Sequence, residues 1–221
     1  MNSRSLLFAT FILASTVFPA NAQNGKLLLK RGDAFVAQEN YKAAIEEYRK
    51  VSARERDAYA RAIYNIGVCH YELWQTEEAI IFYKRAIDLR QGTYPVASYA
   101  LGVALEDQKR FAEAKAAYQQ ASGFGPAIYK LGLLAAKAGE FKQAADLFRD
   151  AAAREGRHVP ASHNNLGVVL ARLGFLKEAE NEFVIALKSS AGGFEDAAHN
   201  LKLCRSLMNS VDLVATVEWR N

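Results

Sequence analysis

"NNLGVVLARLGFLKEAENEFVIAL", residues 164–187, decides the fold through three residues that are smaller than their surroundings. Gly167 sits within a run whose apolar residues recur at helical spacing, where glycine costs about 1 kcal/mol relative to alanine. Ala179 lies twelve residues later, Phe183 four further on and Ala186 three beyond that. The same set recurs along the chain. Gly32, Gly67, Gly102, Gly132 and Gly167 follow one another at steps of 35, 35, 30 and 35 residues. Each is followed at the same distances by an alanine (Ala44, Ala79, Ala114, Ala144, Ala179), an aromatic (Tyr48, Tyr83, Tyr118, Phe148, Phe183) and a small residue (Val51, Ala86, Ala121, Ala151, Ala186). Agreement of five segments at four positions marks an internal repeat.

Each repeat reads as two antiparallel helices. "AIYNIGVCHYELW" carries apolar residues at helical spacing, and after a turn "EEAIIFYKRAI" opens a second amphipathic run. Glycine on the first helix and alanine on the second let the two backbones approach, and the aromatic is expected to fill the gap towards the next repeat. One helix pair cannot bury its own apolar face, so stacking of successive pairs supplies the stability. Gly139-Glu140 and Gly174-Phe175 mark turns between paired helices. Pro95, Pro126 and Pro160 mark first-helix starts, where a missing N–H is tolerated. "SGFGP", residues 122–126, accounts for the 30-residue step through an early helix end and a tight connection, and a local change of superhelical pitch is expected there.

The motifs "HNNLG…EAENEF" and "IYKLG…QAADLF" resemble the tetratricopeptide repeat family, and the resemblance covers about residues 25–190. It implies an all-α fold: a right-handed superhelical solenoid of five helix-turn-helix repeats plus a C-terminal capping helix. The expected repeats span about 25–59, 60–94, 95–124, 125–159 and 160–193, with the cap over 194–208 and a separate tail over 209–221. In the tail Val211, Leu213, Ala215, Val217 and Trp219 alternate with mostly polar residues, which predicts a strand-like or frayed segment.

In that family the first helices line a concave face that contacts ligands. With the glycine as position eight, positions five, nine, twelve and thirteen share one helix face. Position five reads Tyr64, Tyr99, Tyr129 and Asn164 in the last four repeats, and position nine Val68, Val103, Leu133 and Val168. Position thirteen reads Glu72, Asp107, Lys137 and Arg172. The candidate peptide-binding set is therefore a ladder of tyrosines above a row of aliphatics, with acidic side chains on one half and basic ones on the other. Rigid aromatics with a polar tip anchor partners well, and the charge order selects a partner of opposite order. The alternative reading is that these side chains merely pack adjacent first helices together. Asn65 and Asn165, at position six, have two open readings: hydrogen bonds to a bound peptide's backbone, or to a neighbouring helix.

The first 22 residues stand apart. Arg4 supplies a basic start, Leu6 to Phe18 an uncharged and mostly apolar run, and Ala20-Asn21-Ala22 a small-x-small cleavage site. This is the pattern of a signal peptide, with a mature chain from Gln23 and a periplasmic or extracellular destination. Cys69 and Cys204, the two cysteines, read as separate buried thiols rather than a disulfide. The net charge of +4 comes from 28 basic and 24 acidic residues that are interspersed, with no basic run of the kind that tracks nucleic acid. His158 and His163 lie five apart around Pro160, and neither they nor Cys69-His70 form a metal-ligand or catalytic spacing. No phosphate loop or nucleophile elbow occurs. The expectation is a non-enzymatic module without cofactor or metal. Its partner is expected to be a protein or peptide, with self-association through the tail as the alternative.

Overall fold

The computed structural model describes residues 20–190 and 193–218, with side chains from 24 to 190 and from 193 to 210. The expected leader lies outside the described residues up to residue 19, and of its last three residues only the backbone is described. Among the described residues there are eleven helices and no strand. They are α1 (Ala20–Val36), α2 (Tyr41–Arg49), α3 (Arg56–Glu72), α4 (Thr76–Leu89), α5 (Pro95–Asp107), α6 (Phe111–Gln120), α7 (Gly125–Lys137), α8 (Phe141–Ala152), α9 (Val159–Arg172), α10 (Leu176–Ser189) and α11 (Glu195–Glu218). Each odd-numbered helix up to α9 pairs with the next, and each pair packs on its successor. This is a helical solenoid. Pro95, Pro126 and Pro160 fall in the first turns of α5, α7 and α9.

The recurrent glycine has a specific steric cause. A Cβ on Gly32, Gly67, Gly102, Gly132 or Gly167 would approach the ring of Tyr48, Tyr83, Tyr118, Phe148 or Phe183 to between 2.3 and 2.8 Å. The aromatic thus lies across the glycine of its own repeat, not chiefly in the gap to the next one as expected. The reason is geometric. The aromatic sits one turn past the alanine that brings the second helix close, so its ring edge lands on the paired first helix. Ala44, Ala79, Ala114, Ala144 and Ala179 are all fully buried, as are Ala86, Ala121, Ala151 and Ala186.

Turns between paired helices share one backbone device. Glu39, Trp74, Lys109, Gly139 and Gly174, each seven residues past the recurrent glycine, have φ of 57°, 61°, 59°, 79° and 87°. Left-handed backbone is free for glycine but costs about 1–2 kcal/mol elsewhere. The first three repeats therefore hold a strained non-glycine residue where the last two have glycine.

The junction at "SGFGP" is tight, with four residues between α6 and α7. Packing between these helices is sparser than at the other inter-repeat junctions. The buried apolar residues fall into two clusters, one from Leu28 to Ala127 and one from Ala135 to Cys204, and α7 contributes to both.

Three pairs of successive first helices touch (α1 with α3, α3 with α5, α9 with α11), whereas among the described residues no successive second helices approach comparably. Tighter spacing on one side curves the stack, with the first helices inside. α11 packs on α9 and α10 in the place of a sixth first helix. At the position of the recurrent glycine it carries exposed Lys202, flanked by exposed Ala198 and Arg205. A polar outer face ends a stack. Residues 211–218 are helical rather than strand-like: α11 continues through residue 208 to Glu218, beyond the expected cap, and Trp219 lies outside the described residues. A lone strand leaves its backbone groups without partners, while a helix already under way satisfies them internally. The sequence also spaces Leu203, Leu207, Val211 and Val214 at four, four and three residues, a helical period that outweighs the alternation.

Candidate protein-binding face

The face is built by positions five, six, nine, twelve and thirteen of the first helices. The position-five tyrosines are half-buried and belong to aromatic clusters. Tyr64 packs between Tyr83 and Tyr94, with centroids 5.8 and 5.6 Å away. Tyr99 packs between Tyr118 and Phe124 at 5.9 and 5.4 Å. Tyr129 meets Phe148 at 5.8 Å. Each ring therefore lies against its own second helix, and the first two also against the start of the next repeat. Tyr94 and Phe124, which cap the starts of α5 and α7, were not singled out from sequence, although both stand eight residues before a recurrent glycine.

Hydroxyls separate the three tyrosines. Tyr129 Oη accepts a hydrogen bond from Asn165 Nδ2 at 3.1 Å. Those of Tyr64 and Tyr99 have no hydrogen-bond partner among the described residues. Burial pushes the pKa of Tyr64 and Tyr129 up, so both remain neutral donors in ordinary conditions.

Both asparagines bond a neighbouring first helix. Asn65 Nδ2 donates to Asp33 Oδ1 on α1 at 3.1 Å, and Asn165 reaches back to Tyr129 on α7. Asn200, at the same position in α11, donates to Asn164 Oδ1 at 3.0 Å. Lys130, the residue at that position in α7, bonds Glu106 on α5 at 2.9 Å. Position six thus ties α3, α7, α9 and α11 to the first helix before each, while α5 carries Ala100 there and makes no such tie. Asn164 is buried and bonds Asn165 and Asn200, which places it within this network.

Two carboxylates are organised by these ties. Asp33 accepts from the Tyr48 hydroxyl at 2.7 Å, from Asn65, and from Arg61 at 3.0 Å. Glu106 accepts from the Tyr118 hydroxyl at 2.7 Å and pairs with Lys130. Burial opposes ionisation of Glu106, but the bonds from Lys130 and Tyr118 outweigh it and hold its pKa below the usual value.

Val68, Val103, Leu133 and Val168 are half-buried, and Glu72, Asp107, Lys137 and Arg172 are exposed. The structure groups several of them into separate clefts. Asn65 and Val68 line one of about 260 Å³ with Asp33, Val36, Tyr48 and Arg61. Glu72 and Asp107 share one of about 400 Å³ with Tyr71, Trp74, Thr76 and Gln108. Val168 and Arg172 share one of about 280 Å³, whose other walls include Leu203 and Leu207 of α11. Arg172 also stands over the Phe141 ring, 5.5 Å from its centroid.

Other chemistry is sparse. Cys69 and Cys204 are free and buried, and burial pushes the Cys69 thiol up to about 11. Among the described residues no group of three or more His, Cys, Asp or Glu is placed to hold a metal ion. No helix among them is long and apolar enough to cross a membrane.

Three models of the tetratricopeptide repeat match the sequence, over residues 18–92, 96–123 and 129–194. The chain belongs to the tetratricopeptide repeat family. The tetratricopeptide repeat is a protein–protein interaction fold. No curated protein matches it significantly. Solved structures do. The crystal structure of MamA is 23% identical, with 72% of this chain and 94% of that chain covered and a TM-score of 0.59. MamA from Desulfovibrio magneticus is 18% identical over 79% and 99%, with a TM-score of 0.58. PilF from Pseudomonas aeruginosa is 17% identical over 89% of each chain, with a TM-score of 0.69. At such identities the likeness establishes the fold alone.

Proposed function

We propose that the protein is an exported adaptor that holds an extended or helical segment of an envelope, secretion or pilus component along its first-helix face. The observation that carries this reading is the strip formed by Tyr64, Val68, Tyr99 and Val103. These side chains are half-exposed on the inner side of the curve, and the Tyr64 and Tyr99 hydroxyls are unused within the described residues. Rigid rings with free polar tips are well suited to a partner's backbone. Export rests on the leader pattern of residues 1–22.

The test uses a photo-crosslinking residue at Val103 and, as the control, at Ile81, which is 64% exposed on second helix α4. In the producing cell, a discrete adduct is expected from position 103 and not from 81, and it should weaken in a Tyr64→Phe/Tyr99→Phe variant of unchanged helicity. Adducts from 81 alone would move the site to the outer side. A purified protein beginning at Met1 in the cytosol, rather than at Gln23 in the envelope, would overturn the export reading.

One observation favours self-association as a second reading. Leu203 and Leu207 are 52% and 44% exposed on α11, which runs on to Glu218. Native mass measurement across concentration decides this: a dimer lost on deleting residues 209–221 supports it, and a monomer throughout removes it.

A further inference from the structure

Trp74 is 93% exposed at the turn between α3 and α4, with a φ of 61°. The fourth and fifth repeats place glycine at this position, so the second holds the largest side chain where backbone strain argues for the smallest. Local folding gains nothing from it, since the ring is in solvent. Trp74 forms a wall of the cleft of about 400 Å³ whose other walls are Tyr71, Glu72, Thr76, Asp107 and Gln108.

The electrostatics of this cleft have one sign. Glu72 closes α3 and Asp107 closes α5, and both are exposed. A helix C-terminus already carries partial negative charge, so a carboxylate there is unfavourable for the helix itself. Two such ends converge here, each with a carboxylate, and no basic residue lines the cleft. Neither Glu72 nor Asp107 takes part in an ion pair among the described residues. The Tyr71 hydroxyl donates to Asp107 Oδ2, which fixes that carboxylate in the cleft and bridges the two repeats. Burial and this bond push the Tyr71 pKa up to about 12, so the hydroxyl stays protonated and Asp107 receives its proton as a hydrogen bond only.

We infer that this cleft is a docking point for a basic side chain of a partner polypeptide, with a guanidinium stacked on Trp74 and paired with Glu72 and Asp107. A planar cation gains from an aromatic face and from carboxylates at once, and arginine meets both conditions better than lysine. The inference rests on the adaptor reading and adds the chemistry of its partner: the bound segment carries arginine where it crosses the second and third repeats.

The test reads Trp74 directly. In full-length protein with Trp219→Phe, Trp74 is the sole tryptophan. Its emission is followed while a blocked heptapeptide of alternating glycine and arginine is added, with glutamine and lysine counterparts in parallel. A saturable change with the arginine peptide is expected, weaker with lysine and none with glutamine. Affinity should fall about tenfold in Glu72→Gln/Asp107→Asn and should fall with added salt. Glu46→Gln/Glu140→Gln, which changes two exposed acids outside the cleft, should leave it unaltered. Replacing the acids at the C-termini of α3 and α5 is not expected to threaten folding, and a circular dichroism spectrum matching the parent is required of both double variants. A silent Trp74, or equal binding by the two double variants, would overturn the inference. So would an emission change driven by protein concentration alone, which would give the cleft to a second copy. None of these results touches the crosslinking result at Val103, so the two readings fail separately.

Discussion

Replacing Gly102 by alanine sets two opposed effects against each other in the middle of the stack. Within an isolated helix the change is favourable by about 1 kcal/mol, since alanine is the better helix former. Here the added Cβ would lie 2.4 and 2.5 Å from Cε1 and Cδ1 of Tyr118. That ring is fully buried, and its hydroxyl is bonded to Glu106, so it cannot swing aside without losing a hydrogen bond. Overpacking of this kind costs about 1–3 kcal/mol, more where a bond of about 1 kcal/mol goes with it. The net expectation is a loss of about 1–2 kcal/mol, read as a lowered urea midpoint at unchanged slope. A double-mutant cycle isolates the contact. Tyr118→Ala alone should cost about 3–5 kcal/mol, but in its presence Gly102→Ala should become neutral or stabilising. The coupling between the two should therefore be about 2–3 kcal/mol. A stabilised Gly102→Ala single variant, or two changes that simply add, would refute the idea that ring contact explains the recurrent glycine.

Acid sensitivity should fall in part on Glu106. Its folded pKa is depressed, so its contribution is complete above about pH 5 and is lost as pH falls below the ordinary glutamate value of about 4.3. Glu106→Gln should flatten stability against pH in that window while leaving neutral-pH helicity intact, as thermal melts would show. Cys69 is fully buried with a raised pKa, so it should react with a thiol reagent only at the rate of unfolding. Rapid labelling of native Cys69 would contradict that packing. Asn165→Ala and Asn200→Ala should each lower stability by about 1 kcal/mol in denaturant titrations. An unaltered midpoint for both would remove the role given to these ties between first helices.

Repeat architecture was legible because it is written in volume. Gly167, Ala179, Phe183 and Ala186 have counterparts at fixed distances, and steric exclusion leaves little freedom at those positions. Details set by polar geometry were not. Asn65 and Asn165 suit a ligand as well as a neighbouring helix, and only the distance to Asp33 or Tyr129 reveals the bond between helices. Tyr94 and Phe124 drew no reading of their own, and only their rings against Tyr64 and Tyr99 give them a role. The left-handed turns were visible at Gly139 and Gly174 but hidden at Glu39, Trp74 and Lys109, whose residue types favour no such backbone. The tail misled because five alternating residues imitate a strand, while the helix entering it had already met the backbone's need for hydrogen bonds. Of the candidate face, the row of first-helix positions was readable; its division into separate clefts depends on how far individual side chains reach.

Two clusters of buried side chains share α7 without merging, and the packing between α6 and α7 is the thinnest of the inter-repeat junctions, so a bend of the stack would cost least there. Bending strain is smallest where fewest atoms must separate, which is the expectation for this junction. A guest lying across both clusters would then set the angle at this junction, and the width of the hollow would follow the guest's own shape.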